Sequence, residues 1–135
     1  NAVYGMTGGQ MAPTTLLTQK TTTSPTGRKK ELDGYPVKVS EIFSQLGGST
    51  YIERCSVSSP AGVNKTKKAI KKAFQCQIDG LGFSMVEILS LCPTNWKMSS
   101  IDSCKWIDDV LSKEFPPGVY KDTINETKKN AEAAP

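Results

Sequence analysis

The chain contains no histidine. That absence excludes a self-contained Ser-His-Asp or Cys-His catalytic set and any histidine-ligated metal site. No run approaches the roughly eighteen apolar residues that a membrane-spanning helix needs, and no charged segment followed by an apolar stretch opens the chain. The four cysteines, Cys55, Cys76, Cys92 and Cys104, are spaced 21, 16 and 12 residues apart. No CxxC pair exists among them, which excludes a zinc ribbon or a thioredoxin motif. Reduced thiols in a cytoplasmic protein are the expectation, with no membrane association.

What is present is one domain's worth of chain. It has 135 residues, of which 37% are apolar and 22% charged, enough for a core and too little for two independent domains. The net charge of +4 comes from one place. Lys65, Lys67, Lys68, Lys71 and Lys72 supply five positive charges, so the remainder sums to −1. No aromatic residues interleave with these lysines as a base-stacking surface requires. A solvated helix face is the expectation, and nucleic acid is not an expected partner.

The first 27 residues hold one charge, Lys20, and eight threonines, with glycine and proline scattered among them. Such a stretch buries little apolar area and reads as a long binding loop. Arg28-Lys29-Lys30-Glu31 reads as a solvated turn. Beyond it the pattern is regular. Ser40 is placed to cap a short helix carrying Ile42, Phe43 and Leu46, which Gly47-Gly48 ends. Residues 50–57 alternate and favour a strand. Ser58-Ser59-Pro60 breaks that strand, and a helix follows to about Ile78, with Val63, Thr66, Ile70, Phe74 and Ile78 as its apolar stripe. Residues 83–91 are nearly all apolar, as in a strand buried on both faces. Ser99 and Asp102 resemble a capping box, followed by Ile101, Cys104, Ile107 and Leu111 on one helix face. Pro116-Pro117 ends that helix, and the chain from Lys121 onward is polar.

Helix, strand, helix, strand, helix is the order of an α/β unit with a parallel sheet. Two strands make a poor independent sheet. The opening Asn1-Ala-Val-Tyr4 reads as the end of a strand that begins outside the chain, so half of something larger is expected. Ligands of open parallel sheets bind beyond the carboxyl ends of the strands. Residues 1–10, Ser56 to Pro60 and Leu91 to Trp96 all fall there. In residues 1–10, an asparagine amide and carbonyls suit a hard cation such as Mg²⁺, and Gly8-Gly9 permits close approach of a ligand to the backbone. A plain glycine-rich turn is the competing reading. Glu87 interrupts an apolar strand and is expected to form a structural salt bridge or hydrogen bond rather than to act in catalysis.

Several strings are specific. Asn1-Ala-Val-Tyr-Gly-Met-Thr-Gly-Gly-Gln-Met-Ala-Pro-Thr-Thr15, Gln19-Lys-Thr-Thr-Thr-Ser-Pro25, Tyr51-Ile-Glu-Arg54, Lys67-Lys-Ala-Ile-Lys-Lys-Ala-Phe74, Gly82 through Trp96 and Gly118-Val-Tyr-Lys-Asp122 run along most of the chain. Together they resemble the thiamine-diphosphate-binding β subunit of 2-oxoacid:ferredoxin oxidoreductases, in the branch acting on 2-oxoglutarate or on branched-chain 2-oxoacids such as 2-oxoisovalerate.

The resemblance implies part of the doubly wound parallel sheet of the thiamine-diphosphate-binding fold. Residues 1–121 would be the C-terminal part of that domain, 1–34 a flexible loop against cofactor and partner, and 122–135 a polar tail. It makes Asn1 a side-chain ligand of Mg²⁺ with the Val3 carbonyl as another, and lays Tyr4, Gly5, Met6 and Thr7 along the cofactor. Cys92 matches the fourth ligand of a [4Fe–4S] cluster, with a buried structural thiol as the competing reading. Cys55, Cys76 and Cys104 have no such match and read as small core residues. No residue is assigned as catalytic. The implied partners are an α subunit, a ferredoxin-like subunit, ferredoxin or flavodoxin, coenzyme A and the 2-oxoacid. The family's Gly-Asp-Gly motif and three further cluster cysteines are not in this sequence, so the chain alone is expected to be inactive. The rival reading is a non-enzymatic truncated α/β domain, or an interaction module using the basic helix face.

Overall fold

A computed structural model describes residues 2–132, without the side chains of residues 128 and 130–132. After a long loop come the short helices α1 (Lys30–Asp33) and α2 (Val39–Ser44), strand β1 (Ser49–Ser56), helix α3 (Pro60–Ile78) and strand β2 (Phe83–Leu89). Helices α4 (Pro93–Trp96) and α5 (Ser100–Trp106) follow, and α5 continues through a π-helical turn (Ile107–Leu111) into α6 (Ser112–Glu114). Strand β3 (Gly118–Asp122) and helix α7 (Ile124–Glu132) close the described chain. No helix among the described residues is long and apolar enough to cross a membrane.

The sheet has the order β2-β1-β3. β1 and β2 run parallel, as expected of an α/β unit, with Arg54 opposite Glu87. β3 is antiparallel to β1 and was not anticipated. Its sequence follows Pro116-Pro117 and offers few strand formers, so its pairing depends on the free edge of β1. Seven of the eight β1 residues are buried, because helices cover both faces and strands flank both edges. β2 was expected to be buried on both faces. It is instead an edge strand, mostly half-buried, since none of the described residues pairs with its outer side.

The helix expected after Ser58-Ser59-Pro60 forms. Ser59 Oγ accepts from the Gly62 amide at 3.1 Å, and Pro60 occupies the first helical turn, where a missing N–H costs nothing. Its buried face agrees with the expected stripe at Thr66, and in part at Val63 and Ile70, but not beyond them. Thr66, Ala69 and Cys76 are buried, whereas Phe74 is 66% and Ile78 76% exposed. Small side chains allow the helix to approach the sheet closely, and Ile70 and Phe74 are left at the margin above β2. The lysines are not uniformly solvated either. Lys65 lies 3.6 Å from the buried Glu53, and Lys72 pairs with Asp122 and sits over the Tyr51 ring.

Ser99 caps α5 as expected, accepting from the Asp102 amide and donating to its carboxylate. The π-helical turn inserts an extra residue per turn. It leaves Ile101 exposed while Ile107 and Leu111 join Ala2, Leu89 and Phe115 in the core cluster. Leu89, Ile107, Leu111 and Phe115 each contribute about 1.5–3 kcal/mol on burial. The segment expected as a polar tail is helical over Ile124–Glu132, and residues 133–135 lie outside the described residues.

Arg28 departs furthest from the solvated turn expected there. It is 5% exposed, and its guanidinium donates to six carbonyls, those of Ala12, Pro13, Thr15, Asp33, Gly34 and Tyr35. One planar donor fork therefore gathers two stretches of the chain, 12–15 and 33–35, in a region that has no strand of its own.

Candidate functional site

The site is built where β1 and β2 end. The Val57 amide donates to the Leu89 carbonyl at 3.1 Å, so the two strands leave the sheet side by side. Ala2 packs against Leu89, and its carbonyl accepts from the fully buried Thr15 hydroxyl at 2.6 Å. Ser58 reaches across to Asp108 at 2.6 Å. The three segments expected at one sheet edge are thus brought together there.

Residues 4–10 close on themselves. The Tyr4 amide donates to the Gln10 carbonyl at 3.0 Å, and the Gly9 amide to the Tyr4 carbonyl at 2.9 Å. The Gln10 side chain donates to the Thr7 carbonyl, while the Thr7 hydroxyl donates to Gln10. Tyr4, Met6 and Thr7 are exposed on the outside of this turn, Gly5 is half-buried and Val3 is buried. The expected strand end at residues 1–4 is not extended throughout, for Ala2 takes a left-handed φ of 56°. Asn1 lies outside the described residues.

One side chain that the sequence did not single out joins the loop to Cys92. Asn95 Nδ2 donates to the Gly5 carbonyl at 2.9 Å and to Cys92 Sγ at 3.2 Å. Cys92 itself is half-buried at the start of α4. The proximity of Gly9 completes the junction. Gly9 has a φ of 77°, and a Cβ there would overlap the Asn95 carboxamide. The close approach that glycine permits at position 9 is thus made to Asn95. Beside the junction lies a cleft of about 480 Å³ bordered by Lys20, Thr22, Asn95, Lys97 and the Trp96–Trp106 pair, whose ring centroids are 4.4 Å apart.

The donor set can be tested against a metal or cluster. No group of three or more cysteine, aspartate or glutamate side chains among the described residues could hold a metal ion. Cys55 and Cys76 are buried thiols, as expected of small core residues, and none of the four cysteines forms a disulfide. Burial pushes the Cys55 thiol further up in pKa, aided by the Glu53 charge. The described residues therefore offer backbone carbonyls and single thiols, an incomplete set for Mg²⁺ or for an iron–sulfur cluster, and no reaction step is routed through either.

Beneath the site, Glu87 does form the structural salt bridge expected of it. Its partner is Arg54, which is fully buried. Arg54 Nε donates to Glu87 at 2.8 Å, and its two Nη groups hold Glu41 at 3.0 and 2.5 Å. Nη1 also reaches the Tyr120 hydroxyl and the Pro116 carbonyl, and the guanidinium lies over the Phe115 and Tyr120 rings. Ser40, expected as a helix cap, lies inside α2 instead and donates to Glu87 at 2.6 Å. Burial would push the Glu41 carboxyl up, but the Arg54 hydrogen bonds and charge reverse this and hold it below the ordinary value. The signal in the sequence was a charge in each of two adjacent apolar strands, at positions that the register sets opposite.

Comparison with known proteins now places the chain. The ketoisovalerate oxidoreductase subunit VorA of Methanothermobacter marburgensis is 41% identical over 128 residues, which are 95% of this chain and 27% of that protein. The 2-oxoglutarate synthase subunit KorB of Archaeoglobus fulgidus is 35% identical over 136 residues, covering 93% of this chain and 46% of its own length. The pyruvate synthase subunit PorB of Pyrococcus furiosus is 34% identical over 98 residues. The chain thus spans about a quarter to a half of the length of these relatives. No protein-family model and no solved structure matches it. Over the stretch that it spans, the chain belongs to the family of 2-oxoacid oxidoreductase subunits.

Proposed function

We propose that this chain supplies the loop side of the cofactor site in a multi-subunit, cytoplasmic 2-oxoacid oxidoreductase. The assembled enzyme converts a 2-oxoacid and coenzyme A into acyl-CoA and CO₂, releasing one proton and two electrons to ferredoxin or flavodoxin through iron–sulfur clusters. Thiamine diphosphate with Mg²⁺ supplies the decarboxylation chemistry when bound, and the protein binds and orients. In this reading Tyr4, Gly5, Met6 and Thr7 contact the cofactor, the Asn1 side chain and the Val3 carbonyl serve as magnesium ligands, and Cys92 serves as a cluster ligand. The Asn95 junction carries this reading, because one carboxamide ties the Gly5 carbonyl to the Cys92 thiol. It holds the loop and the thiol at a fixed separation. The branched-chain acid 2-oxoisovalerate is the favoured substrate, since the ketoisovalerate subunits match at 41–42% identity and the 2-oxoglutarate subunits at 34–35%.

The test is to tag this chain in its source organism, purify what assembles with it, and measure coenzyme-A-dependent reduction of a viologen dye by 2-oxoisovalerate and by 2-oxoglutarate. Activity with 2-oxoisovalerate should copurify with the chain, and Cys92→Ser should lower both iron content and rate without dispersing the assembly. Copurification of no 2-oxoacid-dependent activity would overturn the proposal, and unchanged iron in Cys92→Ser would remove Cys92 from it.

A further inference from the structure

The cleft beside the Asn95 junction carries chemistry that the proposed roles of the loop and of Cys92 leave unused. One wall is the turn of residues 19–25, which is tied to the loop by the Thr22 amide donating to the Gly9 carbonyl at 3.0 Å. The other wall is the end of α4 with the Trp96–Trp106 pair. The volume of about 480 Å³ falls in the range of small-molecule sites. Among the described residues, Lys20 and Lys97 border the cleft and no carboxylate does. Both lysines are exposed, and neither forms an ion pair with a described residue. Two further observations point to a ligand. The Trp96 indole nitrogen is buried without a hydrogen-bond partner among the described residues, and few buried donors are left so. Lys97 takes a left-handed φ of 56° where it ends α4. Glycine or asparagine is the ordinary residue at that place, so a lysine there carries backbone strain, which collects at ligand sites.

We propose that this cleft binds a phosphorylated purine nucleoside, and that in the assembled enzyme the ligand is the nucleotide end of coenzyme A. Aromatic faces stack on any base, and the ring nitrogens of a purine are acceptors for the Trp96 N–H. Lys20 and Lys97 supply charge-assisted hydrogen bonds to phosphate. The choice of coenzyme A rests on the reaction proposed above and on position. Gly9 and Asn95 belong both to the cleft wall and to the junction with Gly5 and Cys92. A nucleotide held in the cleft leaves the long, flexible arm of coenzyme A to carry its thiol past that junction toward residues 4–7. Thiamine diphosphate shares the negative charge and a heteroaromatic ring but lacks the purine and the arm.

Both tryptophans of the chain border the cleft, so tryptophan fluorescence of the 135-residue chain reports on this site. The chain is titrated with adenosine 3′,5′-bisphosphate, coenzyme A, thiamine diphosphate and inorganic phosphate. Saturable quenching by the first two is expected, with Lys20→Gln and Lys97→Gly each weakening it about fivefold. Glycine suits the left-handed φ at position 97, so the denaturant midpoint of Lys97→Gly should not fall. In the assembly purified through this chain, the same variants should raise the KM for coenzyme A and leave that for 2-oxoisovalerate unchanged. Absence of saturable quenching, equal quenching by thiamine diphosphate or by phosphate alone, or wild-type affinity in both variants overturns the proposal. An unchanged KM for coenzyme A in both variants overturns the assignment to coenzyme A. An assembly without 2-oxoacid activity, beside a chain that still binds the bisphosphate, overturns the proposed reaction and that assignment while supporting the purine nucleotide site.

Discussion

Arg54→Met removes a buried cation while leaving both carboxylates in place. The wild-type guanidinium makes two bonds to Glu41, one to Glu87, one to Tyr120 and one to the Pro116 carbonyl. Glu87 is largely buried, with 17% of its side chain exposed, and would face an apolar side chain. Breaking a buried pair by removing one partner costs about 3–5 kcal/mol. A domain of this size has about 5–15 kcal/mol in all, so the variant should lose a large fraction of its stability in urea at neutral pH. The pH dependence gives an independent check. Glu41 has a depressed pKa in the folded state. The stability it contributes is therefore present above the unfolded carboxylate value of about 4.3 and is lost as pH falls through the folded value. Wild-type stability should decline from about pH 5 downward. Arg54→Met should lack that decline and should gain relative to wild type on acidification, because protonation removes the unpaired charges. Adding Glu87→Leu should recover part of the loss, since well-packed apolar replacement of a buried pair is often near neutral. A cost at pH 7 below about 1 kcal/mol, or parallel pH profiles for wild type and Arg54→Met, would refute the reasoning.

Three further predictions address the loop and the helix. Asn95→Ala removes the short bond to the Gly5 carbonyl, which keeps only the 3.4 Å bond from the Gly8 amide, and should cost about 0.5–1.5 kcal/mol, so amide exchange across Tyr4–Gln10 should accelerate while β1 stays protected. Arg28→Lys keeps the charge but supplies three donors for six carbonyls. It should raise protease cleavage between Pro13 and Tyr35, and cleavage at the wild-type rate would contradict the hub role. Phe74→Ala should cost less than about 1 kcal/mol because the ring is mostly exposed, whereas Ala69→Leu should cost about 1–3 kcal/mol by overpacking against the sheet. Denaturant midpoints of the two variants decide this, and the reverse ranking would restore the apolar stripe as the buried face.

Local chemistry was legible where it is decided locally. The Ser99 cap, the helix after Pro60 and strand β1 follow from residue type and period. Those signals act within a turn or along one strand, so no distant residue can overrule them cheaply. Other features required the assembled molecule. Only the free edge of β1 makes Gly118–Asp122 a strand, and only close approach to the sheet turns Ala69 and Cys76 inward in place of Phe74 and Ile78. The placement of Asn95 between Gly5 and Cys92 spans 90 residues of sequence, and Arg54 meets Glu41, Glu87 and Tyr120 from three separate elements. A side chain's pattern states which face is apolar, but which face is covered depends on the neighbour that arrives. For Arg28 the difference is sharpest, because a lone arginine in a polar run reads as solvated until the loop folds six carbonyls around it.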